Sequence, residues 1–192
     1  MRILILAGFL GSGKTTVLME LADYLTGAGE RVVVLENEVS TTPIDNQILA
    51  QRGLPVRTIS GGCICCASSG LLCEDVRWIR REWGPDWLII EATGLAYPDA
   101  IRESLRQELG MDARVLTLVD AVRWKRVLAA MRQFAVSQLR GAAAVLVTKV
   151  DAAEAAAVRE VLQSVRSLTE EIPVLPVCAI EPIAPEVWQS VL

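Results

Sequence analysis

A chain of 192 residues, 52% of them hydrophobic, is long enough to bury one substantial core and is expected to form a single domain spanning residues 1–192. Its formal net charge of -4, with 19 Lys and Arg against 23 Asp and Glu and no basic run, excludes the electrostatic footprint of a nucleic-acid binder. No apolar run approaches the roughly 18 residues that a membrane-spanning helix needs. Five cysteines, three of them crowded together, are unlike the spaced pairs of a small secreted domain, so the expected setting is a reducing cytoplasm without membrane contact.

The first predicted element is a buried strand over residues 2–7. The apolar stretch 3–10 is too short for a signal peptide, lacks a cleavage region, and runs directly into Gly8-Phe9-Leu10-Gly11-Ser12-Gly13-Lys14-Thr15. That octet satisfies G-x-x-x-x-G-K-[ST]. Glycines let the backbone turn its N–H groups inward around phosphates, and Gly11 loosens the middle of the loop. The following helix, predicted over 15–26, offers its positive end; Lys14 is placed to reach the β- and γ-oxygens and Thr15 to ligate Mg²⁺. Ser12 and Thr16 complete the residues expected at the phosphates. The helix is expected to end at Gly27 or Gly29. A strand over 31–35 follows, and residues 37–52, polar and carrying Pro43, break the alternation and read as a mobile connection beside the phosphates.

After a strand at 56–59 comes Gly61-Gly62-Cys63-Ile64-Cys65-Cys66, in a chain with no histidine. The glycines allow a turn that points sulfurs inward, which regular strand or helix would not. Thiolates near the start of the next helix, predicted over 70–83, have lowered pKa values, and soft sulfur selects Zn²⁺, Cu⁺ or, less typically, Co²⁺ and Ni²⁺. Three thiolates, Cys63, Cys65 and Cys66, leave a fourth tetrahedral position for Glu38, Cys73, water or a partner's side chain. Two other readings stay open: buried structural cysteines, or a redox-sensing cluster. Cys73 borders the apolar stripe of its helix and reads as packing, as does Cys178.

The strand 87–91 ends in Glu91, a second acid for the magnesium shell, and Gly94 three residues later can swing its N–H toward a γ-phosphate. A helix over 99–109 and strands over 114–119 and 143–148 follow; no element is predicted between these two strands. The last of them leads to Thr148-Lys149-Val150-Asp151, close to the N-K-x-D element that reads guanine. Asp151 can accept from both N1–H and the 2-amino group of guanine, which adenine lacks, while the Lys149 stem lies along the ring. Threonine in place of asparagine forfeits a neutral contact of about 0.5–1.5 kcal/mol, whereas bonds to a charged group are worth about 1.5–3 each. Asp151 could equally cap a helix predicted over 152–168. Pro173 precedes a strand at 174–177; beyond it Ala179 is a candidate backbone donor to the guanine oxygen, and residues 181–192 read as a short appendage. Strands alternating with helices predict an α/β fold of the P-loop NTPase type, a mainly parallel sheet of about seven strands with helices on both faces.

These segments together resemble the CobW-type family of metallochaperone GTPases, relatives of the nickel-insertion GTPases for urease and hydrogenase. The likeness rests on the phosphate loop, Glu36-Asn37-Glu38, Gly61-Gly62-Cys63-Ile64-Cys65-Cys66, Glu91-Ala92-Thr93-Gly94-Leu95-Ala96 and Thr148-Lys149-Val150-Asp151. It covers nearly the whole chain. The resemblance implies GTP hydrolysis to GDP coupled to binding and delivery of zinc, cobalt or a similar metal, with nucleotide- or metal-dependent homodimerisation and a recipient metalloprotein. Thr41 and Ser40 stand where the family shows a glutamate and a glycine, and Pro43 replaces a further glycine. The family's C-terminal domain and histidine-rich stretch are not found in the sequence.

On this reading γ-phosphate contacts order residues 37–45 and 93–96 and change the geometry at Cys63, Cys65 and Cys66. Glu38 positions water or ligates metal. No catalytic glutamine or cis arginine finger is identified, so hydrolysis without a partner is expected to be slow, by 10³ to 10⁵ where a finger is lacking. Two rivals remain: a GTP-dependent regulatory switch with metal- or redox-sensing thiols, and a chaperone for a corrinoid-dependent enzyme.

Overall fold

A computed structural model describes residues 1–37, 54–59, 69–169 and 171–192. The described part contains seven strands: β1 (Arg2–Gly8), β2 (Val32–Asn37), β3 (Val56–Ile59), β4 (Trp87–Glu91), β5 (Arg114–Asp120), β6 (Ala144–Thr148) and β7 (Val174–Pro176). All pair in parallel, in the order β3-β2-β4-β1-β5-β6-β7. Their near-continuous aliphatic sequences follow from this arrangement, because a parallel sheet is covered on both faces and has no side for polar residues. Along β1 the alternation is explicit. Leu4 and Leu6 join one core layer; Ile3, Ile5 and Ala7 point into the other.

Seven α-helices among the described residues supply the cover: α1 (Lys14–Gly27), α2 (Ser69–Glu82), α3 (Pro98–Leu109), α4 (Trp124–Ala130), α5 (Arg132–Leu139), α6 (Ala155–Arg166) and α7 (Pro185–Val191). On one face α1 lays Val17, Leu18 and Leu21 over the sheet, and α7 adds Trp188 and Val191. On the other, α2 and α3 bury Val76, Ile79, Ile101 and Leu105, while α4, α5 and α6 cover the β5–β6 half with Trp124, Leu139 and Val161. The predicted fold class is therefore the observed one, and α1 ends at Gly27 with Ala28 as its C-cap.

Two segments differ from the sequence expectation. The stretch between β5 and β6, where no element was predicted, holds α4 and α5, of seven and eight residues. They are too short for a helical period to stand out. Residues 181–192 are not an appendage. Their helix α7 carries Trp188, which is 1% exposed and stands 6.2 Å from the Tyr24 ring on α1, so the end of the chain is part of the core.

Candidate functional site

The carboxyl ends of the strands gather the chemistry-bearing residues along one edge of the sheet. β1 sits at the centre, so the loop after it meets neighbours on both sides. The chain leaves β1 at Gly8, closes a turn with the Ser12 N–H donating to Phe9 O at 3.0 Å, and enters α1 through Gly13. Gly13 is the N-cap at φ 88°, a left-handed conformation that a side chain would strain. Lys14, only 8% exposed, donates from Nζ to Gly8 O at 3.1 Å and so lies across the loop. Burial lowers its pKa, and the nearby Glu91 charge works against that shift. The Thr15 hydroxyl donates to Glu91 Oε1 at 3.2 Å, uniting the start of α1 with the end of β4.

Beyond Glu91 the chain passes against the phosphate loop. A Cβ built on Gly94 would lie 2.6 Å from Leu10 N and 2.7 Å from Leu10 Cα, distances that no real Cβ tolerates against backbone. Glycine is therefore required by contact with the loop itself. Further along, Gln138 of α5 donates from Nε2 to Ala96 O. The Phe134 ring stands edge-on to both Phe9, at 5.9 Å, and Tyr97, at 5.7 Å. Such aromatic pairs are each worth about 0.5–1.5 kcal/mol beyond their buried area. Helix α5 thus bridges the phosphate loop and the Gly94 segment. Gln138 and Phe134 carried no motif in the sequence.

On the opposite flank β5 and β6 hold the loop by polar contacts. The Thr148 hydroxyl donates to Ser12 O at 2.8 Å, with Val119 O at 3.3 Å, so its proton is used to brace the loop. Lys149 adopts φ 57°, and its ammonium donates to Gly11 O at 2.5 Å. The same ammonium lies 2.8 Å from Asp120 Oδ2, an ion pair not aligned as a hydrogen bond. Asp120 closes β5, is 7% exposed, and accepts on Oδ1 from the backbone N–H groups of Val122 at 2.8 Å and Arg123 at 3.1 Å. It was missed in the sequence, although a carboxylate ending an aliphatic strand is the same signal that marked Glu91.

Asp151 is exposed on a 3₁₀ turn, Val150–Ala152. The turn is separate from α6, which starts at Ala155 with Glu154 at its N-cap and no side-chain cap. The alternative reading of Asp151 as a helix cap is therefore corrected: Ala153 and Glu154 are extended and detach the turn from the helix. Ala179 packs partly buried against the core beside Cys178, whose thiol is pushed up mainly by burial and also by Asp151. A cavity of about 20 Å³ lies behind the loop, lined among others by Phe9, Ser12, Asp120, Arg123, Trp124 and Gln138. It has room for about one water, which could serve Ser12 Oγ and Gln138 Oε1, both buried with no partner among the described residues.

The family model described as CobW/HypB/UreG, nucleotide-binding domain, matches residues 2–176. The chain belongs to that family. Among other members, the zinc chaperone YjiA of Escherichia coli is 35% identical over 162 residues, 78% of this chain and 49% of YjiA. The zinc chaperone CobW of a Sinorhizobium species is 31% identical over 129 residues, 61% of this chain and 36% of CobW. The chain thus spans about half the length of YjiA and about a third of CobW. HypB from Helicobacter pylori, crystallised in complex with nickel, superposes with a TM-score of 0.69 at 21% identity, covering 98% of this chain and 84% of HypB. The signal recognition particle receptor FtsY from Elizabethkingia anophelis, in complex with GDP, gives 0.66 at 21%, over 90% and 55% of the two chains. Both likenesses are likenesses of fold.

The metal-binding candidates read from the sequence, Cys63, Cys65, Cys66 and Glu38, with most of the connection 37–52, lie outside the described residues. Among the described residues no group of three or more His, Cys, Asp or Glu could hold a metal ion. Cys73 is fully buried on α2, its Sγ 3.9 Å from Ser104 O, and burial above all, then Glu108, pushes its thiol up to about 11. Its place among Leu72, Val76 and Ile79 in the core agrees with the packing role read from the sequence. Among the described residues no helix is long and apolar enough to cross a membrane.

Proposed function

We propose that this domain binds GTP and hydrolyses it to GDP and phosphate, and that the nucleotide state governs the binding and delivery of a transition metal. The cargo is zinc, with cobalt the other candidate, held by Cys63, Cys65 and Cys66 with Glu38 as a further ligand or as the residue that positions water. The recipient is a metalloprotein in the cytoplasm, and the active form is a nucleotide- or metal-dependent homodimer. The contact of Gly94 with Leu10 carries the reading. It makes the position of the Gly94 segment depend on what the phosphate loop holds, and that segment follows the strand whose Glu91 already meets Thr15.

Gly8, Gly11, Ser12, Gly13, Lys14, Thr15 and Thr16 form the phosphate cradle. The Thr15 hydroxyl and Glu91 carboxylate, two hard oxygen donors 3.2 Å apart, suit Mg²⁺ and would hold it. Bound there, Mg²⁺ would neutralise charge on the β- and γ-phosphates. Asp151 and the Lys149 stem read guanine, with Ala179 as backbone donor; Thr148 contributes by holding Ser12 in place. The names of the relatives, zinc chaperones among them, support zinc as cargo.

Competitive zinc titration of the reduced protein with a non-hydrolysable GTP analogue, with GDP and without nucleotide tests the coupling. Zinc affinity should differ between states, with the reciprocal shift in nucleotide affinity that linkage requires, and Cys65→Ser should abolish the difference. Equal zinc affinity in all three states would remove coupled delivery and leave a plain GTPase.

A further inference from the structure

Arg123 was no part of any motif, yet the fold brings it onto the phosphate loop. It caps α4 directly after the turn that leaves β5, and its side chain is 55% exposed. A Cβ built on Gly11 would lie 2.9 Å from Arg123 Nη1, so the guanidinium sits within about 4.5 Å of the Gly11 Cα, in the space a side chain there would fill. Gly11 is bracketed by cations: Lys149 holds its carbonyl at 2.5 Å, and Arg123 lies over its α-carbon.

The two cations are held very differently. Asp120 Oδ2 lies 2.8 Å from Lys149 but 3.8 Å from Arg123 Nε, and Asp120 Oδ1 is engaged by two backbone N–H groups. Arg123 therefore has the weaker claim on a carboxylate already shared. An ion pair at 3.8 Å on a half-exposed side chain is weak, because solvent screens it. A triphosphate in the loop would present several anionic oxygens within the swing of that side chain, and a guanidinium matches phosphate oxygens in a two-pronged geometry that lysine lacks.

We propose that Arg123 is an arginine supplied in cis to the triphosphate, moving from Asp120 onto the phosphate oxygens and stabilising the charge that builds as the γ-phosphoryl group transfers. In that step a water oxygen bonds to the γ-phosphorus and the bond from that phosphorus to the bridging oxygen breaks. The electron pair leaves on GDP, and the water's protons pass to the phosphate and solvent. The guanidinium adds no atom to the products; it offsets negative charge on the bridging and terminal oxygens, the part that arginine fingers play. This assignment rests on the GTPase reading above and names a cis arginine where the sequence motifs identified none.

Single-turnover GTP hydrolysis tests it, measured on the wild type, Arg123→Ala and Arg123→Lys, alongside affinities for GDP and a non-hydrolysable GTP analogue. Arg123→Ala should slow hydrolysis by 10- to 1,000-fold while GDP affinity stays within threefold, and added guanidinium ion at millimolar concentration should restore part of the rate. Arg123→Lys, which keeps a cation beside Asp120 and guards against misfolding, should be slowed nearly as much. An unchanged rate in either variant overturns the assignment. So does a parallel loss of GDP affinity, analogue affinity and rate, which would mark Arg123 as a structural partner of Asp120. A wild type that binds no GTP would instead sink the GTPase reading, and this assignment with it.

Discussion

On the β4 side the contacts made on the phosphate-loop backbone are steric: Gly94 abuts Leu10, and Phe134, reaching over from α5, stands between Phe9 and the Tyr97 ring beyond Gly94, while the polar contacts of this side, Thr15 with Glu91 and Gln138 with Ala96, leave the loop carbonyls alone. On the β5–β6 side they are polar: Thr148 and Lys149 donate to the carbonyls of Ser12 and Gly11, and Asp120 tethers both Lys149 and Arg123. The difference fits what the proposed GTPase cycle would ask of each flank. A segment that follows the presence of a γ-phosphate has to be close-packed, since close contact turns a small shift into a large energy. A flank that keeps the loop in shape and meets a base can rely on charge, whose reach is longer and tolerance wider.

The sharpest way to break this comparison is Gly94→Ala. The added methyl collides with backbone at 2.6 Å, and the Gly94 segment must move away from the loop. Misplacement of about 1 Å costs on the order of 10²-fold in rate, so single-turnover hydrolysis should fall by about that much while GDP binding is little changed. Wild-type hydrolysis by this variant would show that the steric flank is soft. Next in size is Asp151→Asn, expected to cost about 1.5–3 kcal/mol for each lost bond to guanine, roughly 10- to 150-fold in GTP affinity, with ATP affinity unmoved. Equal losses for GTP and ATP by nucleotide competition would take base reading away from Asp151.

The smallest effect should come from Asp120→Asn, which keeps the size of the side chain and removes the charge. Lys149 is 38% exposed, so solvent screens the pair and it contributes no more than about 1 kcal/mol. Nucleotide affinity measured at low ionic strength should change only a few-fold, and the difference should shrink as salt is raised. A salt-independent change of tenfold or more would mean that Asp120 acts through packing and that the two flanks are alike.

How far the site could be read beforehand depended on the kind of contact. Lys14 and Thr15 were legible because the octet they close carries its own geometry: glycines spaced for a turn, then a helix start. Glu91 was legible as a polar end to an apolar strand. Asp120 has the same pattern but stood before a stretch with no predicted element, where α4 and α5 are short and meet at Met131 without glycine or proline to mark the break. Asp151 was open to two roles because its distance from the next helix depends on two extended residues, Ala153 and Glu154, that no local pattern announces. Thr148 read as a weakened base contact, whereas its hydroxyl is committed to Ser12 O, a residue 136 positions away. Trp188 falls in the predicted appendage because seven residues of helix reveal nothing of the Tyr24 ring they cover.

Sequence alone determined the parallel α/β class, the phosphate loop and the order in which polar groups follow strand ends. These depend on spacings within a few residues of one another, where covalent geometry and hydrophobic period act directly. Tertiary structure decided which strand ends meet: β4 beside β1 places Gly94 on Leu10 and Glu91 on Thr15, and β5 beside β6 brings Asp120 to Lys149 and Arg123 over Gly11. Those meetings follow from strand order and register, which are set by the burial of both faces of the whole sheet and so are written in no single segment.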